Sequence, residues 1–142
     1  MDIKFLKRSL FQRIFGISAT QQPGNADCWA YKEGRVVIDL NELAELSQPG
    51  SAVRLEGKGL PARVLVVHSE NGEYRAFRNQ CTHIGHRRLD PVPGTDTVQC
   101  CSINKSTFDS DGKQIFGPAP HSIHRYDVEK DQEELVILIP EK

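Results

Sequence analysis

Asn79-Gln80-Cys81-Thr82-His83-Ile84-Gly85-His86 and, 17 residues beyond His83 (84–100), Cys101-Ser102-Ile103-Asn104-Lys105-Ser106-Thr107-Phe108-Asp109 decide the reading of this chain. Cys-x-His on one loop and a cysteine on a second bring a thiolate and an imidazole from one side, and a thiolate from the other, toward one metal centre. Once deprotonated, both residue types ligate iron or zinc well. Asp111-Gly112 and Gly117-Pro118-Ala119-Pro120 follow, and both read first as turns.

Outward from these loops the signals are those of strands. Val36-Val37-Ile38 is a β-branched run, and Asp39 to Leu46 suggests one or two helical turns. Ala52 to Glu56 alternates, and Arg63 to His68 contains Val64-Leu65-Val66-Val67, the continuous apolar run of a buried strand. Asn71-Gly72 predicts a tight hairpin turn, because both residue types tolerate positive φ, and Tyr74 to Arg78 supplies the returning strand. Ile123 to Val128 and Glu134 to Ile139 form another pair around Lys130-Asp131-Gln132. Short strands at regular spacing predict an all-β sandwich or barrel.

The N-terminal segment differs. In residues 1–16, Ile3, Leu6, Leu10 and Ile14 with Phe5, Phe11 and Phe15 fall on broadly one side at helical spacing. Gly16 is a stop signal, and Ser18 to Asp27 reads as a linker. Such a helix packs on the domain or on a second copy, giving a homo-oligomer. Lying on a membrane is the rival reading, weakened by the short length.

A chain of 142 residues suits one core. Hydrophobic residues at 38% and charged residues at 26% are those of an ordinary globule, and the formal net charge of −1 gives no drive toward nucleic acid. No stretch reaches the roughly 20 apolar residues that span a bilayer, and the basic leader lacks the continuous apolar core of a secretory signal. Cytoplasmic residence is therefore the default expectation. There Cys28, Cys81, Cys100 and Cys101 stay reduced, which favours metal binding or burial over disulfides.

The ligand stretch resembles the Rieske [2Fe–2S] family, whose pattern is Cys-x-His, a spacer of about 15 to 17 residues, then Cys-x-x-His. Asn79, Gly85, Phe108-Asp109, the Asp-Gly turn and the Gly-Pro-Ala-Pro loop agree with it, and the similarity spans roughly residues 31–140. The resemblance implies an antiparallel β-sandwich with a small cluster-binding subdomain (loops about 79–120). The domain would then be residues 31–142, and residues 1–30 a short helix and linker.

Carried over residue by residue, the metal ligands are Cys81, His83 and Cys101, and the second histidine falls on Asn104. In the family two thiolates hold one iron and two imidazoles the other, which raises the potential. A neutral amide oxygen is a weak donor to iron, so the cofactor is expected as complete, incomplete or absent. His86 on the first loop, His121 after the Gly-Pro-Ala-Pro loop, and Cys100 are the nearby replacements, with a water or an empty position as the other outcomes. Cys100 is awkward, since adjacent strand side chains point to opposite faces. As a packed thiol it needs no metal at all, and the same holds for Cys28 beside Trp29.

The resemblance implies an electron carrier of the ferredoxin kind, serving a redox partner of reductase or oxygenase type, and not an enzyme. No paired carboxylates, nucleophile elbow or phosphate-cradling loop argues otherwise. The alternative is a cluster-free or zinc-binding module that kept the fold, for which Asn104 and the Cys100-Cys101 pair are the evidence.

Overall fold

A computed structural model of the chain describes Ser9, Gln12 and residues 19–80, 88–92, 94–101, 105–117 and 122–140. The strands are β1 (Trp29–Lys32), β2 (Arg35–Asp39), β3 (Ala52–Leu55), β4 (Val64–His68), β5 (Tyr74–Arg78), β6 (Leu89–Pro91), β7 (Val98–Cys100), β8 (Thr107–Phe108), β9 (Gln114–Phe116), β10 (Arg125–Asp131) and β11 (Glu134–Leu138). All pairings among them are antiparallel. Seven strands form one sheet in the order β1-β2-β11-β10-β5-β4-β3, and four form a second in the order β6-β7-β8-β9. The all-β class read from the sequence is the class observed.

β4 explains how the two sheets share one molecule. All five of its residues are buried, and the two-residue strand period sends them to different cores. Val64 and Val66 join Val36, Ile38, Val53, Leu55, Leu135 and Ile137 in the core that the larger sheet encloses. Leu65 and Val67 join Phe77, Leu89, Val98, Cys100, Phe108 and Ile123 in a second core under the smaller sheet. β5 divides likewise, with Ala76 in the first core and Phe77 in the second. The smaller sheet and its loops are therefore held on the back of the central hairpin by apolar burial.

Turns show where local chemistry differs from expectation. The β4–β5 connection is wider than a two-residue turn, running from Ser69 to Glu73 with Ser69 N–H donating to Glu73 O at 2.7 Å. Gly72 alone takes positive φ (90°) there, whereas the Asn71 side chain accepts from Glu73 N–H at 3.0 Å. Asn71 thus supports the turn with its amide rather than with a left-handed backbone. Around Leu40–Glu42 and Ala44–Leu46 the expected helical turns are 3₁₀ turns.

The stretch read as a linker is pinned. Ala19 and Thr20 N–H groups each donate to the Asp90 carboxylate at 2.9 Å, and the Thr20 hydroxyl donates to it at 2.6 Å. Arg54 binds the same stretch, donating through Nε to Thr20 O at 2.9 Å and through its backbone to Gln21 O at 3.0 Å. Within the leader, Ser9 and Gln12 exchange bonds: Gln12 N–H to Ser9 Oγ at 3.1 Å and Ser9 N–H to Gln12 Oε1 at 3.0 Å. That reciprocal pair is the bonding of a capping box, and Gln12 is helical. The rest of the amphipathic helix expected over residues 1–16 lies outside the described residues. No helix among the described residues is long and apolar enough to cross a membrane.

Candidate metal centre

The two loops of the ligand pattern leave neighbouring strands. The first connects β5 to β6 and the second connects β7 to β8, while β6 and β7 pair with Leu89 opposite Cys100. The end of the first loop therefore lies beside the start of the second. Cys101 N–H donates to Arg88 O at 3.0 Å and extends that pairing by one bond.

Asn79 closes the neck of the first loop. It is fully buried, and its Oδ1 accepts from Leu89 N–H at 2.7 Å, joining the residues on either side of the loop. Its backbone N–H donates to Arg63 O at 2.8 Å, and its carbonyl accepts from Arg63 Nε at 3.2 Å. The Asn79 Nδ2 group is buried with no hydrogen-bond partner among the described residues. The second loop is supported from below by close backbone approach. A Cβ on Gly117, whose φ is +90°, would lie 2.6 Å from Ser106 Cα, so the start of the Gly-Pro-Ala-Pro segment packs where no side chain fits.

At the bases of the two loops lies a charged cluster that the sequence did not disclose. Glu56 accepts from Arg88 Nε and Nη2 at 2.7 and 2.9 Å and from Arg54 Nη1 at 2.7 Å. Hydrogen bonds from Arg88, and then from Arg54, hold the Glu56 carboxyl at about 2, against the opposing effect of its burial. The same Glu56 contact raises Arg88. Burial, followed by repulsion from Arg88, lowers Arg63. Both Arg63 and Arg88 interact electrostatically with Cys101.

Of the ligand-pattern residues, the structure places Cys101, buried at 2% exposure. Cys81, His83, His86, Asn104 and His121 lie outside the described residues. Cys100 is in the second apolar core, packed with Leu89 and Phe108, whereas Cys101 is not part of it. Adjacent cysteines thus face different surroundings, as strand geometry requires. Cys28 lies in the main core, and burial pushes its thiol up. Among the described residues no three His, Cys, Asp or Glu side chains converge as a metal site. A thiolate-held iron fits what is described: a buried cysteine at a hydrogen-bonded loop base, in electrostatic interaction with Arg63 and Arg88. The imidazole-held iron fits less well, because Asn104 brings an amide where a histidine belongs.

Residues 36–127 match a family model described as the Rieske [2Fe-2S] domain. The ferredoxin of carbazole 1,9a-dioxygenase from Nocardioides aromaticivorans IC177 is similar in fold, at 21% identity and a TM-score of 0.56, over 73% of this chain and 95% of that one. A complex of reduced oxygenase and oxidised ferredoxin in carbazole 1,9a-dioxygenase gives 22% identity and a TM-score of 0.51, covering 64% and 82% of the two chains. A quaternary ammonium Rieske monooxygenase, CntA, in complex with L-carnitine gives 23% and 0.51, covering 68% of this chain and 30% of that one. No curated protein sequence matches. The strand order, the paired loop bases and the matched span agree, and the chain belongs to the Rieske [2Fe-2S] domain family.

Proposed function

We propose that the chain is a Rieske-type electron-transfer protein, ferredoxin-like, that passes single electrons to a partner oxidoreductase. Cys81, His83 and Cys101 would hold its [2Fe–2S] centre, with Asn104, His86, His121 or water at the remaining position. The observation that carries this reading is the Cys101 environment. A cysteine buried at the loop base, with its N–H bonded to Arg88 O and with Arg63 and Arg88 in electrostatic interaction with it, is suited to serve as a metal-held thiolate. When bound, such a centre supplies reversible one-electron chemistry. Ferredoxins of dioxygenase systems share the fold over most of their length, which supports a partner of the oxygenase type. A chain with one histidine ligand is expected to have a lower potential, and a weaker dependence of potential on pH, than a centre with two.

Asn104 is the specific observation that favours a second reading, a binding or regulatory module of the same fold without the centre. Replacing Asn104 with His separates the two readings. An electron carrier is coloured before the exchange, whereas a cluster-free module turns from colourless to brown only after it. Visible spectra of both proteins, prepared without oxygen, read the difference.

A further inference from the structure

The charged cluster at the bases of the ligand loops holds more than one ion pair. A single Arg54–Glu56 pair would already tie β3 to the pinned stretch at Thr20. Glu56 also takes a two-bond contact from Arg88, and Arg63, bonded to Asn79 through Nε, interacts electrostatically with both. Each arginine is fixed to a loop base through its own backbone or side chain. Arg63 is bonded twice to Asn79, which opens the first loop, and Arg88 closes that loop and accepts from Cys101. Glu56, Arg54 and Arg88 keep about a fifth to a third of their side-chain surface exposed, so water screens them only in part.

Each one-electron reduction, with the electron supplied by a partner oxidoreductase, would add one negative charge to a centre whose loops start from the residues that Arg63 and Arg88 hold. Fixed charges at its base act on that step by sign: cations favour the added electron and an anion opposes it. We propose that Arg63, Arg88 and Glu56 form a charged brace that sets how readily the centre accepts an electron, with Arg63 and Arg88 favouring the reduced state and Glu56 opposing it. These are positioning residues with an electrostatic role, not ligands, and the inference rests on the cluster reading above.

Midpoint potentials of the full chain, measured by spectroelectrochemistry for the parent protein and for Arg63→Gln, Arg63→Lys and Glu56→Gln, test it. Arg63→Gln is expected to lower the reduction equilibrium by about tenfold, or about 59 mV for a one-electron couple, and Glu56→Gln to raise it by a similar factor. Arg63→Lys keeps the charge and is expected to stay within about twofold of the parent. Shifts of the same sign at both positions, or none, would overturn the brace, because loosened packing has no reason to move the two potentials in opposite directions. If Arg63→Gln fails to fold, Glu56→Gln decides alone, an upward shift supporting the brace and any other result overturning it. Iron and sulfide in the parent protein are read first. Their absence removes the cluster reading and the brace together, whereas a loaded parent with unshifted variants removes the brace alone.

Discussion

The Asn79 carboxamide spans the neck of the first ligand loop through a 2.7 Å bond from Leu89 N–H, at a position closed to water. Asn79→Ala leaves that N–H without its partner, and a stranded buried donor costs about 1 to 3 kcal/mol. Urea unfolding is expected to show a loss of that size. Glu56 gives the molecule an acid-sensitive contact. Its carboxyl is depressed from the ordinary 4.5 to about 2, so the stability it lends is complete above about pH 4.5 and is lost as the pH falls toward 2. Unfolding midpoints at about pH 6 and pH 3 should differ more in the parent than in Glu56→Gln, by about 1 to 2 kcal/mol after solvent screening. Cys81, His83 and Cys101 stand out in the sequence because Cys-x-His and a second cysteine are residue types that ligate iron or zinc. The Glu56–Arg88 contact does not, since its partners stand 32 positions apart with no periodicity to link them. Asp90 escaped for the same reason. Its partner Thr20 lies 70 positions away, in a stretch that reads locally as a linker.

At the scale of elements, β4 is the strand on which both cores depend. Leu65→Ala is expected to destabilise by about 2 to 5 kcal/mol, because the cavity opens among Phe77, Leu89 and Phe108, where little can collapse into it. Thermal or urea unfolding measures the loss. The run Val64 to Val67 announced a buried strand, but a continuous apolar run does not say which residue faces which core. β1 was missed because its turn, Glu33-Gly34, carries Glu at a positive φ of 52°, a residue that seldom signals such a turn. β6 to β9 are two or three residues each, too short for alternation to be seen. They exist because the second core and the paired loop bases hold them.

Across the whole molecule, one seven-stranded sheet supplies a stable core, and the smaller sheet presents two loops from its back. The order of motifs along the chain made that division readable as a family resemblance, and the match over residues 36–127 bears it out. Asn104, standing where the family pattern has a histidine, bears on the centre. The central claim is that this chain carries a [2Fe–2S] centre despite Asn104. Iron and acid-labile sulfide content of anaerobically prepared protein, with its visible and EPR spectra, tests that claim most directly. The account predicts about two iron and two sulfide per chain, a brown protein, and an EPR signal that appears on reduction. A colourless chain without iron or sulfide, folded and prepared without oxygen, would contradict it.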